Sequence, residues 1–84
     1  MKIEVKYFAL LREAVAVDSE TIELEAAAAT VNDVREKLCE DASHRTAFET
    51  VKRIRAAVHG EMAPMTAEVK DGDVVAFFPP VTGG

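Results

Sequence analysis

The amino-acid sequence predicts one α+β domain, in which a mixed sheet of four to five strands packs on one main helix. Short stretches near both ends of the chain alternate apolar and polar residues with the period of two typical of half-buried strands. Between them, apolar residues recur at helical spacing. The chain has 84 residues, of which 49% are hydrophobic and 30% charged, so it has room for a single globular domain.

The first two strands are predicted from strict alternation in KIEVKYF (2–8) and SETIELEA (19–26). The intervening ALLREAVA consists of good helix formers and predicts a short turn of helix. Because the two strands lie close together in sequence, we expect an antiparallel pair at one edge of the sheet. The residues expected to face the core are Ile3, Val5, Tyr7, Ile22, Leu24 and Ala26.

Two helices are predicted in the middle of the chain. Thr30 followed by Asp33 has the spacing of a capping box, which begins the main amphipathic helix of about three turns. A second, shorter helix is predicted to begin at Ser43 and to bury Phe48 and Val51. The apolar stripe of the main helix is Val31, Val34 and Leu38.

The last strands follow these helices. RIRAAVHG predicts a strand with Ile54, Ala56 and Val58 inward and a turn at Gly60. KDGD is a strong turn signal before the final strand, VVAFF. If the first and last strands are parallel neighbours at the centre of the sheet, the fold is the β-grasp, or ubiquitin-like, arrangement.

Charge and cysteine content exclude several classes of function. The net charge of −5 and the isoelectric point near 4.9 disfavour nucleic acids and anionic membranes as partners and favour a basic protein surface. Cys39 is the single cysteine, which fits a reducing compartment, and we expect it to be a partly buried structural thiol. With no signal-peptide pattern or long apolar run, the expected location is the cytoplasm.

The side chains show no pattern typical of a catalytic or metal site. His44 and His59 are far apart and have no cysteine or carboxylate at metal-ligand spacing, so each is interpreted as a lone surface histidine, and no metal is expected. No phosphate-binding glycine loop and no Ser/His/Asp set is visible.

The C-terminal residues predict a different kind of site. Pro79 and Pro80 cannot donate ladder hydrogen bonds, so the domain is expected to cover residues 1–78 and an extended, mobile tail residues 79–84. Such a tail reaches about 20 Å. Gly83 and Gly84 have no Cβ and fit a narrow channel, and the reactive group is the terminal carboxylate, which needs activation before a nucleophile attacks it. The tail is therefore interpreted as a substrate arm for another protein's active site, although a disordered end with incidental glycines stays open.

Three segments carry a resemblance to a known family. DGDVVAFFPPVTGG (71–84), KYFALLRE (6–13) and AAVHGE (56–61) resemble the MoaD family, the ubiquitin-like sulfur carriers that are the small subunit of molybdopterin synthase. The resemblance implies a β-grasp fold and a cycle in which an E1-like enzyme adenylates the terminal glycine with ATP. Sulfur from a sulfurtransferase or cysteine desulfurase then gives a thiocarboxylate, which donates sulfur to cyclic pyranopterin monophosphate inside the large subunit during molybdenum cofactor biosynthesis.

The resemblance also implies roles for individual residues. Gly84 carries the sulfur and Gly83 is its channel-fitting neighbour, while Pro79, Pro80, Val81 and Thr82 form the rest of the inserted tail. Phe8, Met62 and Phe78 correspond to hydrophobic contacts with the large subunit, and Arg12 to a basic contact with partners. From the residues alone, either Phe77 or Phe78 could be the exposed one, Met62 could equally be a core residue, and Arg12 could be a solvated helix residue.

The implied activity is that of a sulfur-donating subunit in a two-protein sulfurtransferase, expected as a heterotetramer. We expect no catalytic side chains and no permanently bound cofactor in this chain. Three alternatives remain: a protein modifier conjugated through Gly84, a sulfur carrier for thiamine or tungsten-cofactor synthesis, and a passive binding module with an inert tail.

Overall fold

The computed structural model describes residues 1–80, and Val81–Gly84 lie outside the described residues. This part of the chain contains seven strands and three helices. In chain order they are β1 (Lys2–Tyr7), α1 (Ala9–Val15), β2 (Ser19–Glu23), β3 (Ala29–Thr30), α2 (Val31–Leu38), α3 (Ala42–Thr50), β4 (Arg55–Val58), β5 (Glu61–Ala63), β6 (Glu68–Val69) and β7 (Val74–Phe78).

Five of the strands form one mixed sheet in the order β2-β1-β7-β4-β5. The central pair, β1 and β7, is parallel, and the other neighbours in this sheet are antiparallel. The prediction of a β-grasp fold with the first and last strands adjacent is therefore confirmed. The short β3 and β6 form a separate antiparallel pair that the sequence pattern did not indicate, because each has only two residues and shows no alternation.

The helices differ from the prediction of one main helix. The capping box of α2 is present, with the Asp33 amide donating to Thr30 Oγ1 and the Thr30 amide to Asp33 Oδ2, but the helix has eight residues, about two turns rather than three. α3 has nine residues and begins at Ala42, one residue before the predicted start. Its N-cap is Asp41, whose Oδ1 accepts the amide hydrogens of Ser43 and His44. This second cap begins α3 as a helix separate from α2.

One residue of the predicted second strand was placed wrongly. Ala26 was expected to face the core, but it is exposed, because β2 ends at Glu23. Leu24 still bonds to the chain start, where its amide donates to the Met1 carbonyl at 2.8 Å. The register of β1 with β2 runs from Lys6 opposite Ser19 to Lys2 opposite Glu23, so Ala26 lies beyond the paired part of the sheet.

The core lies between the sheet and the helices. Phe77 of β7 packs edge-to-face on Phe48 of α3, with ring centroids 5.3 Å apart, and Leu11 is the buried residue of α1. The largest fully buried side chains are Tyr7, Phe77, Ile3, Leu11, Val5, Val31, Val34 and Val75. Within residues 1–80, no helix is long and apolar enough to cross a membrane, and no group of three or more potential metal-ligating His, Cys, Asp or Glu side chains is present.

Candidate functional site

The two faces of β7 separate the core from the candidate site. Val75 and Phe77 point inward and are fully buried. Val74, Ala76 and Phe78 alternate with them and are only half-buried on the face opposite the helices. The structure therefore assigns Phe77 to the core and Phe78 to the outer face.

The outer face carries an apolar surface, which we call the sheet-face patch and define by five residues. They are Phe8, Ala57, Met62, Ala76 and Phe78. Strand register explains why they meet: Ala57 of β4 is directly opposite Ala76 of β7 on one side and Met62 of β5 on the other. The small alanines leave a shallow groove of about 580 Å³ between the larger side chains. Such a surface is typical of a protein-binding site.

Phe8 joins the patch because the backbone stays extended after β1. Its amide donates to the Phe77 carbonyl at 3.2 Å, and with φ −133° it keeps the phase of the outer-facing residues of β1. The chain turns into α1 at Ala9, which has a φ of +55°. Phe8 is 47% exposed and Met62 63% exposed, so both large apolar side chains face solvent in the isolated chain.

Polar groups surround the patch. Lys6 of β1 lies opposite Ala76, and Arg55 of β4 lies opposite Phe78. His59 was predicted to be a lone surface histidine, but its Nε2 lies 2.8 Å from Asp73 Oδ1. Burial acts to raise the pKa of Asp73, but hydrogen bonds from His59 and from the Lys70 amide outweigh it and lower that pKa. The patch thus has an apolar centre and a charged rim, as protein interfaces do.

The predicted interface residues are only partly brought together. Phe8, Met62 and Phe78 line one groove, whereas Arg12 lies on α1 outside it. Arg12 Nε is 3.7 Å from Asp18 Oδ1, and both side chains are largely exposed. The interpretation of Met62 as a core residue is excluded by its exposure.

The start of the predicted tail lies against the helices. Pro79 and Pro80 are half-buried and line a second groove, of about 540 Å³, together with Leu10 of α1 and Val51 after α3. Gly83 and Gly84, together with Val81 and Thr82, were predicted to be inserted into a partner, and these four residues lie outside the described part of the chain.

Sequence reasoning missed three residues of these surfaces. Ala57 and Ala76 form the floor of the sheet-face patch, and Leu10, 63% exposed, borders the groove at the prolines. Ala76 is in phase with Phe78, which was a usable signal. Ala57 had no such signal, because its neighbours depend on the pairing of β4 with both β7 and β5.

His44 was also predicted to be a lone surface histidine, and this prediction is wrong. Its Nε2 lies 2.6 Å from Glu20 Oε2, and the same oxygen accepts a 2.6 Å hydrogen bond from the Tyr7 hydroxyl. Nδ1 of His44 lies 3.2 Å from Asp41 Oδ1, the N-cap of α3. This polar cluster connects β1, β2 and α3 at the edge of the core.

The cluster shifts the pKa of several of its members. Burial disfavours charged His44, but Glu20 and Asp41 outweigh that effect and raise its pKa above the ordinary value. Burial, followed by the hydrogen bond to Glu20, raises the pKa of Tyr7 well above its usual range. Hydrogen bonds from Ser43 and His44 lower the pKa of Asp41. We interpret the cluster as structural, because it joins β1, β2 and α3 and lies away from the sheet-face patch.

Cys39 is half-buried against the core, as predicted. Burial is the largest effect on its thiol and raises the pKa, with Arg35 acting in the opposite direction. A raised pKa makes the thiolate scarce at neutral pH, which argues against a nucleophilic role for this cysteine.

The chain is similar to known proteins over most of its length. The model of a family described as the ThiS family matches residues 5–84. A Haemophilus influenzae protein named molybdopterin synthase sulfur carrier subunit is 38% identical over 82 residues, covering 98% of this chain and 99% of the relative.

Two solved structures have the same fold over the whole length of both chains. The small archaeal modifier protein 1, SAMP1, from Haloferax volcanii is 28% identical with a TM-score of 0.83 and full coverage of both chains. A Helicobacter pylori chain from a complex of subunits 1 and 2 of molybdopterin-converting factor is 25% identical with a TM-score of 0.68, again with full coverage of both.

Proposed function

The chain belongs to the ThiS family, and from that premise we propose that it is the sulfur carrier subunit of a molybdopterin synthase. The observation that carries the proposal is its end-to-end similarity to a protein of that name, at 38% identity. The sheet-face patch supports it, since a carrier that works inside a second protein needs an exposed apolar docking surface. The large subunit is the proposed partner, in keeping with the Helicobacter pylori complex of two subunits.

In the proposed mechanism the reacting atom of the carrier is at Gly84. An oxygen of the terminal carboxylate attacks the α-phosphorus of ATP on an E1-like enzyme, and pyrophosphate leaves. The outer sulfur of a persulfide on a sulfurtransferase or cysteine desulfurase then attacks the carbonyl carbon, and AMP leaves. A thiol cleaves the resulting acyl disulfide, so that a thiocarboxylate remains on the carrier and the thiol ends in a disulfide with the sulfur donor. Activation is necessary because a carboxylate is a poor electrophile.

The loaded tail then enters the large subunit. Without Cβ atoms, Gly83 and Gly84 pass a narrow channel. The sheet-face patch binds the outside of the partner while the tail is inserted. The thiocarboxylate sulfur forms a bond to a carbon of cyclic pyranopterin monophosphate as an oxygen substituent leaves that carbon. Water replaces the sulfur on the carrier and restores the carboxylate. In this scheme the carrier supplies the sulfur atom, and the catalytic side chains belong to its partner.

A second function has a specific observation in its favour. The fold similarity to SAMP1, a protein named as a modifier, supports conjugation of the Gly84 carboxyl to lysines of other proteins. Both functions begin with adenylation, so they diverge only in the nucleophile that attacks the activated carbonyl.

Intact mass spectrometry separates the two functions. We expect that incubation with the adenylating enzyme, ATP and a sulfur source increases the mass of the chain by the difference between sulfur and oxygen. The variant that lacks Gly84 is the matched control, and it should keep the fold because the described core lies between Ile3 and Phe77. Adducts with other proteins and no sulfur-loaded carrier would favour the modifier. Molybdopterin formation by the shortened variant would contradict the role of Gly84.

A further inference from the structure

A small cavity with cationic walls lies between α2, the end of α3 and the segment that leads into β4. Its volume is about 220 Å³, and Arg35, Lys52 and Arg53 line it. Glu49 is the one acidic side chain in the lining, so the local charge is about +2 in a chain whose net charge is −5. Within residues 1–80, none of the three cations is in an ion pair.

The three cations come from different parts of the fold. The guanidinium of Arg35 lies 5.7 Å from the centroid of the Phe48 ring, which holds it beside the cavity. Lys52 Nζ donates to the Glu49 carbonyl at 3.4 Å and keeps other donors free for a ligand. Arg53 has a φ of +58°, in the left-handed region that non-glycine residues seldom adopt. The backbone therefore adopts an uncommon conformation at one of the cations.

The lining also includes apolar side chains. Phe48 is buried, while Ile54 and Met65 are half-buried and pack against the core. This apolar floor lies beside cations of which Lys52 and Arg53 are exposed to solvent, so a ligand can reach them directly. A phosphate group has three terminal oxygens and matches three separate cationic donors better than a carboxylate with two.

From this combination we propose that the cavity binds a phosphate monoester, with its phosphate at the three cations and a small apolar or aromatic group on the floor. The cavity is too small for a large ligand. It shares Val51 and Lys52 with the groove that holds Pro79 and Pro80, so a bound ligand would lie next to the start of the tail. The proposal does not depend on sulfur transfer.

The test is an NMR titration of the full-length, ¹⁵N-labelled chain with phenyl phosphate and with inorganic phosphate, at ionic strength held constant with sodium chloride. We expect saturable amide shifts at Arg35 and residues 48–54, with a dissociation constant for phenyl phosphate of about 1 mM. Inorganic phosphate should bind more weakly, because it makes no contact with the floor.

Variants provide the control. The double variant Lys52→Gln/Arg53→Gln should weaken binding at least about tenfold, since charge-assisted hydrogen bonds are lost. Lys2→Gln/Lys70→Gln removes the same net charge from exposed positions outside the cavity and should leave affinity within about twofold. Arg35→Gln, on a different element, tests the same site if the first double variant does not fold.

Three results would overturn the proposal. The first is a set of amide shifts that do not saturate, and the second is an equal loss of affinity in the two double variants. Either would mean that the cations only neutralise the partial negative charge at the C-terminal end of α3. Equal affinity for phenyl phosphate and inorganic phosphate would exclude a monoester site, because the apolar floor would then contribute nothing.

Discussion

On β7, Phe77 faces the helices and Phe78, one position later, faces the opposite way. Phe77 is fully buried and packs on Phe48, whereas Phe78 is half-buried and lines the sheet-face patch with Phe8 and Met62. The two residues are chemically identical and share one strand. Their difference shows that the role of an aromatic residue here depends on which side of the sheet it occupies, with the inner face stabilising the fold and the outer face available for binding.

Substitution of Phe77 should have the largest effect. Phe77→Ala is expected to lower the free energy of unfolding by about 3–5 kcal/mol, because it removes a buried ring and leaves a cavity beside Phe48. Urea denaturation followed by circular dichroism measures the change. Phe78→Ala is the matched control and should cost about 1 kcal/mol or less, since its ring is already partly in water. Equal losses would contradict the division between the two faces.

For binding to the proposed large subunit, the outer residue Phe78 is expected to matter more than the inner residue Phe77. Phe78→Ala should weaken association by about 1–3 kcal/mol, because an aromatic side chain at the centre of an interface is a common hot spot. Isothermal titration calorimetry gives the affinity. Val17→Ala is the control, since Val17 is 42% exposed and does not line the sheet-face patch, and this variant should bind like the unchanged chain. If both variants bound equally well, the patch would not be the docking surface.

The smallest expected effect concerns pH and the inner face. Tyr7 pairs with Phe77 across β1 and β7, and its hydroxyl leads to Glu20 and His44. Because the pKa of His44 is raised in the folded chain, its stabilising contribution is complete below the ordinary value of 6.5 and is lost as the pH rises through the folded-state pKa. The advantage of the unchanged chain over His44→Gln should therefore shrink by about 0.5–1 kcal/mol between about pH 5.5 and about pH 8.5.

The other titratable groups around His44 are not expected to give the same dependence of stability on pH. Tyr7 stays neutral, because its pKa is raised, and Asp41 stays charged, because its pKa is lowered. Cys39 acts electrostatically on Tyr7, and its own pKa is also raised. Glu20 is the remaining carboxylate of the cluster. His59→Gln, on the exposed outer face, is the control, and a pH dependence as large as that of His44→Gln would contradict a specific role for the inner cluster.

Periodicity predicted the parts of the fold in which local sequence is decisive. The alternation in β1 placed Ile3, Val5 and Tyr7 correctly in the core, and the Thr30–Asp33 spacing located the start of α2. Alternation also showed that one of the two phenylalanines had to be exposed. It did not show which one, because the phase of β7 depends on its pairing with β1 and β4.

The sequence-based predictions were wrong where a contact between distant parts of the chain determined the position of a residue. Ala26 continues an alternating pattern, but it is exposed because the pairing of β2 with β1 ends at Glu23. His44 appeared isolated because one of its two partners, Glu20, is 24 positions away. A pattern of period two or 3.6 contains no information about such contacts.

The sequence by itself determined the α+β class and the hypothesis that the function depends on the Gly-Gly segment, because alternation, capping and the lack of Cβ atoms are local properties of the chain. The β-grasp expectation came from the family resemblance of its segments. Only the tertiary structure decided which side chains form the sheet-face patch. Residues 8, 57, 62, 76 and 78 come from four separate segments, and strand register alone brings them to one surface. The same holds for the cationic cavity, whose three basic residues meet only because α2 packs beside the end of α3.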